Sequence, residues 1–148
     1  MSEFISPFQM KRNKIIKFNI IQRDIQQEYN STKANLMVDY EISDIIKSDE
    51  LFNATVDLGI NILGETNKNE ELFELELTMR GYFEGNCEKV PEDKFQDMLK
   101  LNGLSTLLQL SRAYVTAATA LSGFTNPVNF PMVNVFELIK TKEEENKK

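Results

Sequence analysis

The sequence predicts an α+β fold, a four-stranded antiparallel sheet with helices packed on one face. Three observations carry that expectation. Four segments in the first half are β-rich, three of them with apolar residues at every second position. The last third holds one long helix rich in small residues. A loop carrying aromatics and prolines then leads into a short capped helix that opens at Asn134.

The first strand is expected over Lys14–Gln22, through Ile15-Ile-Lys-Phe-Asn-Ile-Ile. Gln26–Lys33 is polar and contains Tyr29-Asn-Ser-Thr, so it reads as a loop. In Leu36–Ile42 the apolar set is Leu36, Val38, Tyr40 and Ile42. Phe52–Ile62 offers Phe52, Ala54, Val56, Leu58, Ile60 and Ile62, and Phe73–Arg80 offers Phe73, Leu75, Leu77 and Met79. Successive strand side chains point to opposite faces, so this alternation marks sheet strands with one face buried and one wet. Gly64-Glu-Thr-Asn-Lys-Asn69 is a turn that makes the last two strands a hairpin. The same parity sends Asp39, Glu41, Asp57, Glu74 and Glu76 to the outer face.

Gly85–Lys89 reads as a connector. Pro91-Glu-Asp then opens a helix, with proline in the first turn and acids near the positive end of the dipole. Asn102-Gly103 is expected to stop that helix. The next, Leu104–Ser122, aligns Leu104, Leu107, Leu108, Ser111, Tyr114, Val115, Ala118 and Leu121 on one stripe. Ala113, Ala117, Ala120, Thr116 and Thr119 line its other side, and Gly123 follows as a C-cap. Asn134 with Glu137 three residues on is a capping-box arrangement for a final helix of about eight residues. Residues 1–142 are expected to form a single domain and 143–148 a charged, solvated tail.

A chain of 148 residues buries about 68–70% of its extended surface and needs no metal or disulfide to fold. No apolar run approaches the ~20 residues of a membrane span, and the start lacks the cationic and apolar regions of a secretory signal. The lone Cys87 cannot form an internal disulfide, which fits a reducing cytoplasm. The absence of histidine removes Ser-His and Cys-His pairs, His-ligated zinc and the commonest general base. No catalytic residue, metal or cofactor is expected. The net charge of −6 is uneven, since residues 35–97 carry five Lys/Arg against sixteen acids. An acidic middle argues against a phosphate-backbone partner and suits a basic or flexible polypeptide, although an acidic surface also simply keeps a protein in solution.

Three constellations go beyond core formation. The small-residue side of the long helix permits close helix–helix approach, so Ala113, Ala117 and Ala120 are expected at a subunit interface; a final helix folded back over them is the plain alternative. Tyr82, Phe83, Phe124, Phe130, Met132 and Phe136 gather at strand end, loop and last helix, a set suited to varied apolar segments or to a satellite core. Glu74 and Glu76 are paired acids on an open strand face with no histidine or glycine-rich loop nearby, so a solvated face outranks a catalytic pair. An apolar pocket between sheet and helix would instead make the chain a small-ligand binder.

The order of strands, long helix, Pro-Val-Asn loop and short helix resembles the SecB export chaperones, over roughly Phe8 to Lys140. The segment Asn126-Pro-Val-Asn-Phe-Pro-Met-Val-Asn-Val-Phe-Glu-Leu138 is similar to the end of that family's common region. The resemblance implies an ATP-independent cytoplasmic chaperone that holds unfolded clients in apolar grooves, for export or for a dedicated partner such as an antitoxin. It implies a homodimer or homotetramer with helices sandwiched between outer sheets. Glu76 falls where the family carries an acid that docks the SecA motor; Glu74 replaces a neighbouring family leucine, and Lys17 and Ile21 stand near the places of further family acids. Asp57, Glu74 and Glu76 are thus the expected docking face.

Overall fold

The computed structural model describes residues 4–147. Its strands are β1 (Phe8–Gln22), β2 (Thr32–Ile42), β3 (Ile46–Ser48), β4 (Leu51–Thr66) and β5 (Glu71–Asn86). Helix α1 (Glu92–Met98) runs through a π-helical turn, Leu99–Gly103, directly into α2 (Leu104–Leu121), and α3 (Val135–Asn146) comes after a long loop. The sheet is antiparallel in the order β1-β5-β4-β2, with β3 paired to β4 beyond the end of β2.

Period-two patterning sets the layers as expected. Val56, Leu58, Ile60 and Ile62 of β4 and Leu75, Leu77 and Met79 of β5 point inward and are buried. Phe95 of α1, Leu99 of the π turn, and Leu104, Leu107, Leu108 and Val115 of α2 close over them. Burying each such side chain contributes about 1.5–3 kcal/mol. The interior where an enclosed ligand would sit is filled by these side chains.

The strands are longer than the alternation alone announces. Gly81 and Gly85 both belong to β5, so Gly85 is not a connector residue: a Cβ on Gly81 would stand 2.6 Å from the Phe83 ring, and one on Gly85 2.5 Å from Phe95. Each glycine makes room for a ring, and Phe8 stacks on Phe83 at 5.4 Å between ring centroids, extending the same aromatic packing. Gly64 likewise lies within β4 beneath Phe73, so the turn is confined to the residues after Thr66.

Two further expectations need correction. Among the described residues there are five strands and not four, because Ile46–Ser48 adds a short edge that carries no period-two signal. Asn102-Gly103 does not stop a helix: Gly103 is right-handed helical at φ −63°, ψ −50°, and its missing side chain lets the turn approach Phe83. Gly123 does end α2, at φ +86°. The Asn134 side chain caps α3 by accepting the Glu137 N–H at 3.2 Å.

Helix α3 runs to Asn146, so Glu143–Asn146 of the expected charged tail are helical, while still exposed to solvent. It lies against β2. The Lys142 ammonium sits 2.9 Å from both Asp39 and Glu41 and over the Tyr40 ring, while Lys100 reaches Glu143 at 3.1 Å. Glu41, then Asp39, raise the Lys142 pKa above the ordinary lysine value. A raised folded-state pKa stabilises the fold fully below the ordinary lysine range, and that contribution disappears as pH rises through the higher value. The carboxylates are largely exposed, which limits the bridge to about 1 kcal/mol or less. Lys142→Met should therefore lower stability to chemical denaturation slightly at neutral pH and converge on wild type under strongly alkaline conditions. A gap that persisted unchanged there would assign the effect to packing.

Candidate functional site

Helix α2 has three sides, and each meets something different. The first carries Leu104, Leu107, Leu108, Ser111, Val115 and Thr119 and is buried against the sheet. The second carries Arg112, Thr116 and Thr119, spaced so that all three project along one line of the helix. The loop between α2 and α3 runs extended along that line. Thr119 Oγ1 accepts the Val128 N–H at 2.8 Å and donates to the Val115 carbonyl at 2.8 Å. Thr116 Oγ1 donates to the Val128 carbonyl at 3.0 Å, and Arg112 Nε donates to the Phe130 carbonyl at 2.9 Å. Two threonines thus bind both backbone polar groups of Val128, as a neighbouring strand would. The loop is a strap fixed to the helix.

The strap decides the fate of the loop aromatics. Phe130 turns inward, 4% exposed, with the Arg112 guanidinium 5.9 Å from its ring centroid. Phe124 is half-buried against Phe73, ring centroids 5.0 Å apart. Met132 and Phe136, which lie beyond the last strap bond, are 84% and 73% exposed. Met132, Val133 and Val135 border a shallow groove whose other wall is Ser105, Leu108, Gln109 and Arg112 of α2.

The six aromatic and methionine positions expected to bind clients therefore do not form one surface. Phe83 is core at 3% exposure. Tyr82 faces the other side of the sheet, as adjacent strand residues must, with Arg12 stacked on its ring at 4.1 Å. Phe130 is core and Phe124 sits beneath the loop, so the satellite-core reading holds for these two. Met132 and Phe136 alone of the six present themselves openly to solvent.

The third side of α2 is open. Ala113, Ala117 and Ala120 are exposed, together with Tyr114 and Leu121, the latter 89% exposed. Helix α3 does not fold over them. Tyr114 and Leu121, expected on the buried stripe, lie at its margin: Tyr114 packs edge-on to Phe18 of β1, ring centroids 5.0 Å apart. Between Leu104 and Leu121 the only charged residue is Arg112, which faces the strap. An uncharged, largely apolar helix side left in water is the feature of this surface that core formation does not explain.

The expected docking acids are mostly neutralised. Asp57 stands between Glu41 of β2 and Arg80 of β5, and takes a two-pronged ion pair from Arg80 at 2.6 and 2.8 Å. Glu76 meets Lys17 of β1 at 3.0 Å. Glu74 is exposed and has no ion-pair partner among the described residues. Strand parity placed all three on the outer face correctly; it could not show that Lys17 of β1 would stand beside Glu76.

No protein-family model matches the sequence, and neither does any curated protein sequence. Among solved structures, the chain is similar to a SecB-like chaperone from Mycobacterium tuberculosis in complex with a ChAD peptide from the HigA1 antitoxin. The TM-score is 0.68 at 12% identity, over 86% of this chain and 91% of that one. It is also similar to a protein of unknown function from Streptococcus agalactiae, with a TM-score of 0.51 at 9% identity, over 84% of this chain and 97% of that one. The chain has the SecB-like α+β fold. Within the described residues no helix is long and apolar enough to cross a membrane.

The strap makes a direct prediction. Thr119→Val keeps the shape of the side chain and leaves the Val128 N–H without its acceptor, which costs about 1–3 kcal/mol. Denaturant unfolding should show that loss, and the Val128 amide should exchange with solvent much faster than in wild type. Unchanged exchange would mean that the strap is held by its ends.

Proposed function

We propose that this protein is an ATP-independent chaperone that holds extended, non-native polypeptide, and that it works as a homo-oligomer joined through the open side of α2. The observation that carries the reading is the uncharged α2 surface, with Met132 and Phe136 displayed beside it, on a SecB-like fold. Apolar side chains at a helix margin and a strap edge suit a client by burial and not by sequence, and the flexible thioether of Met132 adapts to different partners. No phosphate-binding glycine loop occurs in the sequence, consistent with holding a client without nucleotide turnover.

The two apolar surfaces divide the work. Ala113, Ala117 and Ala120 allow close approach of a second α2, so the small-residue side joins subunits. The groove between Met132, Val133, Val135 and the Arg112 side of α2 remains at the rim of such an interface and takes the client. A dedicated client such as an antitoxin segment is favoured over general export targeting through SecA. The neighbouring fold is described with an antitoxin peptide bound, and of the docking acids here only Glu74 lacks a cation beside it among the described residues. A reducing cytoplasm is the compartment that suits the free Cys87.

Light scattering and an aggregation assay test the two surfaces separately. Wild type should run as a dimer or tetramer, and Ala117→Arg should reduce it towards monomer, because the new charge would be buried without a partner. Met132→Ser with Phe136→Ser should keep the wild-type melting temperature, since both residues are exposed. It should weaken protection of a denatured test client about tenfold, the equivalent of about 1.4 kcal/mol of lost burial. A monomeric wild type defeats the assembly reading. Full protection by the double variant removes the client groove from this site.

A further inference from the structure

We propose that the outer face of the sheet docks an acidic peptide segment of a partner protein, at Arg12 and Lys14 of β1 and Tyr82 of β5. A register shift between Met10 and Arg12 lets β1 place Lys11 and Arg12 together at the edge of the outer face. The Arg12 guanidinium lies 4.1 Å above the centre of the Tyr82 ring, and the Lys14 ammonium 5.7 Å from it. A guanidinium stacked on an aromatic ring is already oriented, so its forked N–H edge meets a carboxylate at reduced entropic cost.

The neighbouring cations are spoken for. Lys11 pairs with Glu84 at 3.6 Å, Lys17 with Glu76 at 3.0 Å, and Arg80 with Asp57 at 2.6 Å. Arg12 and Lys14 are exposed and have no ion-pair partner among the described residues. The field they leave is positive, in a chain whose net charge is −6. Tyr82 registers it: Lys14 first, then Arg80, draw its phenol below the ordinary tyrosine value. Beside Tyr82 a hollow lined by Lys11, Asn53, Thr55 and the 65%-exposed Ile46 also carries Asp44 and Glu84, so it can seat one apolar side chain of the peptide while the peptide's carboxylates stay with Arg12 and Lys14.

A short acidic peptide fits this surface better than a nucleic acid. Two free cations release few counterions, and a phosphate backbone crossing the sheet would meet Glu74 and the other outer-face carboxylates. The sign is opposite to the acidic docking face that the sequence suggested. The site lies across the sheet from α2, so it is independent of the client groove and both can be filled at once.

Fluorescence anisotropy of a labelled peptide of alternating Glu and Leu, titrated with the full chain at low salt, tests the proposal. Saturable binding that weakens on adding salt is expected. Arg12→Ala with Lys14→Ala should weaken it about tenfold or more, while Lys89→Ala, which lies elsewhere, should bind as wild type. Should the double variant lose its fold by circular dichroism, Lys14→Gln alone should show the same change at smaller size. No binding by wild type, undiminished binding by the folded cation variants, or tighter binding of a single-stranded oligonucleotide than of the peptide would each overturn the proposal.

Discussion

The inward rows of β4 and β5 cannot be left in water, and covering them fixes most of what this protein can do. A sheet face of valines, leucines and isoleucines needs one long cover, which α1, the π turn and α2 provide without a break. Continuity depends on close approach. Gly81, Gly85 and Gly103 remove side chains where Phe83 and Phe95 must lie, so helix and sheet share one aromatic seam. Because α2 is committed to the sheet along one side only, its remaining surface has to be satisfied in other ways.

One of those ways is polar. An extended loop laid over a helix has backbone groups that need partners, and leaving them buried and unbonded is costly. Arg112, Thr116 and Thr119 supply the partners, and Thr119 does so while itself fully buried. The strap ends at Phe130, and beyond it the chain is released to the surface through Pro131 and Met132, then the Asn134 cap and Phe136. The exposed apolar residues thus sit on a rigid base. Rigid display lowers the ordering cost of binding at those residues.

Much of this was legible in the chain. The period-two rows identified the buried face of β2, β4 and β5, and the glycine and asparagine caps ended α2 and began α3 where expected. Errors arose where local signals met tertiary packing. Glycines read as breakers serve as space for rings, and Asn102-Gly103 stays helical because Phe83 needs the gap. The grouping of Tyr82 with Phe83 ignored parity that the sequence already contained, since neighbours in a strand face apart. The polar line of Arg112, Thr116 and Thr119 was also visible as helical spacing, but the backbone it binds at Val128 and Phe130 was not. The cation beside Glu76 depended on how β5 pairs with β1, a long-range choice that no local pattern announces, whereas Arg80 beside Asp57 follows from the β4–β5 hairpin.

In the function proposed above, polypeptide is held along α2 and the strap, while the outer sheet face is left for a different partner. Photo-crosslinking from single sites reads this directly. A crosslinker placed at Met132 or at Phe136, with a third at Thr78 on the outer face, would be exposed to light in the presence of a denatured client. The account predicts covalent client adducts from Met132 and Phe136 and none from Thr78. Adducts from Thr78 with none from the strap and α3 would contradict it, and would move client binding to the opposite side of the sheet.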